Sequence, residues 1–309
     1  MNINMLCHPL CSLLMMLALS FTSCNQPDSN PFASPAEASY SPLVAQDSLT
    51  LTNAQWKVDS MDGFILKQHF FTNNELFGAN EFIAFVELPP DSPLKVAFCY
   101  EPKRTQTSVQ ARKHQAEVAI NGSYFDMKRH NPICYLRIKG RECGINTPMT
   151  GENADTVNRK YYQYGSMLLR DGRPHVFCTD SNRFWERTLP DNDIMTAGPL
   201  LVLHCDTMPY RYDKDFCTQR HNRTAIGVRP DGTVILLVVE GRAKESYGMT
   251  IPEIGCTMKW LGCQEALNLD GGGSTTLWVK GNIINYPSDN GKFDHAGERT
   301  VSNCVMLVR

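Results

Sequence analysis

The chain has 309 residues, 42% of them hydrophobic and 20% charged, with a formal net charge of −2. Those values sit in the ordinary range of soluble globular proteins. They lack the basic excess of a nucleic-acid binder, so no nucleic-acid partner is expected. The length alone allows one large domain or two small ones.

Leu10 to Phe21 is a short apolar run, below the ~20 residues a membrane span needs. It fits the core of a secretory signal, closed by Phe21-Thr22-Ser23-Cys24. Small residues before a cysteine resemble a bacterial lipoprotein signal, in which Cys24 would be lipidated and tie the chain to a membrane. No Lys or Arg precedes Lys57, which departs from that pattern, and a plain cleaved signal is the alternative. Lipidation is the reading adopted, with an exported, envelope-anchored protein as its consequence. Residues 25–49 are rich in Asn, Ser, Pro and Ala. They cannot bury enough apolar area to offset their ordering entropy and read as a tether. The body is then 50–309, taken as one domain.

Of 12 cysteines, Cys7, Cys11 and Cys24 fall in the signal region. The other nine are an odd number, so at least one thiol stays unpaired. There is no C-x-x-C pair, so a zinc ribbon is not expected. No metal or cofactor is assigned.

In the body, Leu94–Tyr100 reads as a strand, followed by a helix capped at Thr107 or Ser108 and running to about His114. Glu117–Ile120 is a strand entering Asn121-Gly122-Ser123-Tyr124-Phe125. Asp171-Gly172 and Pro230-Asp231-Gly232 are hairpin signals. With Asp231-Gly232 as a two-residue loop, Pro230 faces Thr233 and Arg223 falls opposite Glu240, unless a bulge intervenes. Ile251 to Leu261 is the clearest helix. It has a Thr250/Glu253 capping box, Pro252 in the first turn and Gly262 as its stop. Ala266–Leu269 is a buried strand leading into Asp270-Gly271-Gly272-Gly273-Ser274. A hairpin around Gly281-Asn282 and a last strand, Val301–Val308, follow. Hairpins interspersed with few helices predict an α+β body with a mixed, mostly antiparallel sheet.

Several segments could carry chemistry. Three successive glycines cost entropy that no simple turn requires, and make sense where backbone approaches something closely. The N–H groups of Gly271, Gly272 and Gly273 could form an anion-binding concavity; a glycine-rich connection is the plainer alternative. Asp270 could act in acid–base chemistry or simply cap the loop as an Asx turn. Ser274 lacks the Gly-x-Ser-x-Gly setting of a nucleophile and reads as a hydrogen-bonding group. Glu240-Gly241-Arg242 ends an apolar strand abruptly. Together with Arg223 it makes a charge-dense mouth suited to an oxyanion, or a structural ion pair. Asn121 could bond a sugar hydroxyl or serve a turn. Tyr124 could stack on a ring or pack in the core. His295 and Arg299 lie in a Gly- and Asp-rich stretch and are lid candidates or solvated loop residues.

Taken together, six segments resemble one family, the phosphodiester glycosidase domain to which the lysosomal "uncovering" enzyme belongs. They are Asn-Gly-Ser-Tyr-Phe (121–125), Thr-Ala-Gly-Pro-Leu-Leu-Val (196–202), Asn-Arg-Thr-Ala-Ile-Gly-Val (222–228), Val-Glu-Gly-Arg (239–242), Gly-Met-Thr-Ile-Pro-Glu (248–253) and Ala-Leu-Asn-Leu-Asp-Gly-Gly-Gly-Ser-Thr-Thr (266–276). The likeness spans roughly 94–309. The family's Asn-Gly-Gly-Phe-Phe stands here as Asn-Gly-Ser-Tyr-Phe, which leaves the sugar open. The resemblance implies hydrolysis of an N-acetylglucosamine-1-phosphodiester-type bond. On it, Asp270, Glu240 and Arg223 are the catalytic candidates. Asn121, Tyr124, Arg242, Asn268, Gly271, Gly272, Gly273, Ser274, His295 and Arg299 are the candidates for binding the carbohydrate phosphodiester. A phosphodiesterase cutting P–O on the same scaffold, or a glycan-binding lipoprotein without chemistry, are the alternatives.

Overall fold

The computed structural model describes residues 42–147, 161–180, 182, 184–209 and 214–309. The expected signal, Cys24 and the tether up to residue 41 lie outside the described residues. Helix Pro42–Thr52 occupies the last part of the stretch expected to be tether. Its Leu51 is buried, and Asp47 Oδ1 accepts from the Phe77 N–H at 2.7 Å. The packed body therefore begins earlier than composition indicated.

The expected antiparallel architecture is present, as three sheets in which every pairing between neighbouring strands is antiparallel. The largest has eight strands in the order 57–61, 64–76, 79–88, 234–239, 223–228, 265–268, 200–203, 206–207. A second has five, in the order 282–283, 277–279, 118–121, 300–308, 95–106. The third comprises 141–144, 136–138, 194–197, 165–170 and 173–178.

Strand alternation shows how the sheets stack. Phe82, Ala84, Val86, Leu236 and Val238 of the first sheet share one core with Val96, Phe98, Ile120 and Val305 of the second. The intervening Ile83, Phe85, Ile235 and Leu237 face the other way, onto Ile251, Ile254 and Met258 of helix Ile251–Trp260. On the outer face of the second sheet, Ala119, Cys304 and Met306 pack under Ala111 of helix Thr107–Lys113. The order is helix, sheet, sheet, helix. Val234–Val239 is buried on both faces, which explains its unbroken apolar run without the usual polar alternation. The capping box of Thr250 and Glu253 is formed as expected.

One expected register is corrected. The turn holds three residues, Pro230 to Gly232, with Val228 facing Val234 and the Arg229 N–H donating to the Thr233 carbonyl. Arg223 therefore pairs with Val239, not Glu240. One extra turn residue displaces the register, as the side-chain period of two makes unavoidable.

Candidate active site

Strand ends from the first and second sheets converge on the Asp270 loop. After strand Glu265–Asn268, the Leu269 N–H donates to the Thr224 carbonyl, and the Asp270 N–H to the Gly122 carbonyl. Asn121 Nδ2 donates to the Asp270 carbonyl at 2.6 Å, while its Oδ1 accepts from Thr224 Oγ1 and the Thr276 N–H. Asn121 is fully buried, so its amide stitches the two sheets together beneath the loop. Asn268 is similarly committed, donating to the Tyr124 hydroxyl and the Gly198 carbonyl. The Tyr124 hydroxyl in turn donates to Gly198. These three sequence candidates form the floor of the site.

Each glycine of the loop has a distinct neighbour. A Cβ on Gly271 would lie 2.6 Å from the Asn222 carbonyl oxygen, and one on Gly272 would lie 2.8 Å from an Arg242 guanidinium nitrogen. On Gly273 it would collide with Arg299 and Asp289, at 2.4 and 2.5 Å. The glycines thus admit two guanidinium groups to the backbone. Most of the loop's N–H groups are already used. Gly271 donates to the Asp270 carboxylate, Gly272 to the Asn222 carbonyl, and Ser274 and Thr275 within the turn. The N–H of Gly273 has no acceptor among the described residues, which narrows the expected concavity to one donor flanked by two arginines.

Arg242 is exposed, makes no ion pair or hydrogen bond among the described residues, and has φ of +64°. A left-handed backbone at a non-glycine residue is costly and tends to persist at functional sites. Arg299 is held by Asp289, its Nε 2.7 Å from Oδ1. Asp270 is only partly exposed, and burial pushes its carboxyl up to about 6. Ser274, Arg299, the Gly271 N–H and Arg242 pull it back down. The Ser274 hydroxyl is near enough to act on that charge but has no partner of good hydrogen-bond geometry among the described residues.

Glu240 is fully buried, and burial raises its pKa to about 8. Its carboxylate accepts from Asn222 Nδ2 at 2.7 Å and from Asn285 Nδ2. Asn222 links it to the glycine loop, because its own carbonyl accepts from Gly272. Ser288 Oγ donates to Asn222 Oδ1 at 3.2 Å. Arg223 is placed elsewhere. Its neighbours Asn222 and Thr224 project into this cluster, so strand alternation sends Arg223 to the opposite face. There Nε donates to the Met249 carbonyl, and Nη2 to those of Phe216 and Gln219. His295 is exposed, 2.6 Å from the Asn285 carbonyl through Nδ1, and stacks on Tyr286.

The residues that sequence reading passed over are Asn222, Asn285, Ser288 and His221. His221 has a buried Nδ1 with no partner among the described residues. Burial, then Arg223 and Arg242, lower its pKa. A cavity of about 390 Å³ opens beside Arg242, lined also by Tyr286, Ser288, Lys292 and Phe293.

A carboxyl with a raised pKa thus lies beside a glycine turn and an arginine with no ion pair or hydrogen bond among the described residues, where strand ends converge on a stacked antiparallel scaffold. The family model of the phosphodiester glycosidases matches residues 114–308, and the chain belongs to that family. N-acetylglucosamine-1-phosphodiester alpha-N-acetylglucosaminidase of Bos taurus is 38% identical over 211 residues, covering 67% of this chain and 38% of that protein. The Mus musculus protein of the same name is 37% identical over 197 residues, covering 62% of this chain and 37% of that protein. The chain therefore spans less than two fifths of the length of these relatives. Among solved structures, the catalytic domain of the zebrafish protein of that name superposes with a TM-score of 0.62 at 19% identity, covering 83% of this chain and 87% of that one.

Proposed function

We propose that this protein hydrolyses a sugar 1-phosphodiester at the anomeric C–O bond. The observation that carries the reading is Arg242. Its backbone is left-handed, and its guanidinium, with no ion pair or hydrogen bond among the described residues, lies against Gly272 beside the Asp270 carboxyl. The N-acetylglucosamine-1-phosphodiester chemistry named for the mouse and cattle relatives supports it.

In such a diester the leaving group is a phosphate monoester, a weak base that needs little protonation. The site then has two tasks. Arg242 and Arg299, with the Gly273 N–H, hold the phosphate as negative charge gathers on it. Asp270 activates water or attacks the anomeric carbon. Glu240 supports it by fixing Asn222, the residue on which the loop rests. Arg223, proposed from sequence as a phosphate ligand, instead braces the strand from its opposite face. We further propose that the protein is exported and lipid-anchored through Cys24. The labelled-water experiment tests the chemistry: a sugar 1-phosphodiester turned over in ¹⁸O-water places the label in the sugar. Label in the phosphate means P–O cleavage and a phosphodiesterase. Binding of glycans without turnover means a lectin-like role.

A further inference from the structure

Arg242 sits in a loop that runs from Glu240, just past strand Val234–Val239, to Thr250, the N-cap of helix Ile251–Trp260, and the two ends of that loop touch. A Cβ on Gly241 would lie 3.0 Å from the Gly248 Cα. What closes the loop lies behind it, at the start of strand Ala79–Leu88. Glu81 is fully buried, and its Oε2 accepts from the Gly248 N–H at 3.0 Å. Ser246 Oγ lies 3.3 Å from the same oxygen, donates to the Glu240 carbonyl at 2.9 Å and accepts from the Phe82 N–H at 2.8 Å. One carboxylate thus fastens the returning end of the loop directly and faces the serine that fastens its start. Arg220 supplies the compensating charge, 2.9 Å from Glu81 Oε1, and bonds the Gly248 carbonyl as well. Asn80 adds two further ties, to the Tyr247 N–H and the Lys244 carbonyl. No comparable tie reaches the Arg242 side chain itself among the described residues.

We propose that Glu81, with Ser246 and Arg220, is a positioning residue that holds Arg242 in its anion-binding conformation. A left-handed arginine relaxes to ordinary backbone angles once its loop is released. The clamp is what makes that conformation persist, acting from Glu81 and Ser246, both buried behind the loop. This rests on the reading of Arg242 as the phosphate-holding group.

The test is a double-mutant cycle in the full-length protein. Turnover of a sugar 1-phosphodiester is measured for wild type, Glu81→Gln, Arg242→Ala and the double variant, alongside affinity for inorganic phosphate. Glu81→Gln is expected to lower kcat/KM and phosphate affinity about tenfold or more, and to cost almost nothing further once Arg242 is alanine. Coupling of that kind is expected only of residues acting through one another. Ser246→Ala, a gentler break in the same clamp, should show a smaller loss with the same non-additivity. Losses that multiply in the double variant, or wild-type phosphate affinity and turnover in Glu81→Gln, overturn the proposal. If wild type binds phosphate but turns over no sugar phosphodiester, the functional reading fails. The clamp is then judged by the phosphate affinities alone, with the same coupling expected and additive losses again overturning it.

Discussion

The two carboxyls of the candidate site, both with raised pKa values, set different pH signatures. Asp270, lifted to about 6 chiefly by burial, works as base or nucleophile only when ionised. The rate should therefore climb with pH through about 6 and level off above it. Arg299 lowers that value, so Arg299→Gln should move the rising limb to higher pH. A limb that stays in place, or Asp270→Asn with near-normal turnover, would remove Asp270 from the proposed role. Around Glu240, amide and backbone donors are set against a dominant burial cost. Raised from 4.5 to about 8, it binds its proton more tightly in the folded chain than in the unfolded one. Its stabilising contribution is complete below about 4.5 and is lost as pH climbs through 8. The shift corresponds to an upper bound of roughly 5 kcal/mol. Glu240→Gln cannot titrate, so urea unfolding of that variant should show a flatter stability profile between these limits. Parallel profiles for the two proteins would contradict the burial argument.

At the scale of the element, the glycine loop separates packing from chemistry. A methyl group on Gly271 meets the Asn222 backbone carbonyl, which already holds the Gly272 N–H and has little room to yield. A methyl group on Gly273 meets the far ends of Arg299 and Asp289, which can swing aside. Gly271→Ala should therefore cost about 1–3 kcal/mol in stability. Gly273→Ala should keep its melting temperature within a few degrees yet lose at least about tenfold in kcat/KM, ~1.4 kcal/mol of transition-state stabilisation. Equal effects in melting curves and kinetics would mean the arginines are not what the glycines accommodate. The sequence revealed this loop because three glycines have no simple structural use, and it revealed helix Ile251–Trp260 through its own cap. Those signals are local. The partner of each glycine was not visible, because Arg242 and Arg299 arrive from segments some thirty residues away on either side of the loop. The misplaced Arg223 has the same origin, since a single extra turn residue is invisible to counting and inverts the facing of a side chain. The strands at 57–61, 64–76 and 79–88 went unread. The middle one carries mostly half-buried and exposed residues, and gives no clean alternation.

For the whole molecule, the helix–sheet–sheet–helix order was not legible, because which sheet face meets which helix depends on non-local pairing. What sequence did convey was the antiparallel character, through its hairpin turns, and the likeness to one family through segments that the fold gathers at converging strand ends. The start of the body was set too late. Helix Pro42–Thr52 contributes Leu51 to the core over the first sheet and a carboxylate that holds Phe77. Two truncated chains, one lacking residues 1–41 and one lacking 1–56, isolate the contribution of this helix. Removing 1–56 should cost about 2–5 kcal/mol, the loss expected when a buried leucine leaves a cavity, together with the Asp47 bond. Equal stability of the two truncated chains would show that the helix is not part of the cooperative unit. The proposed anchor is separable from both. On that proposal, Cys24→Ser should move the protein from the membrane to the soluble fraction while leaving its midpoint and turnover intact, since a lipid on Cys24 would hold the body at a surface without building its site.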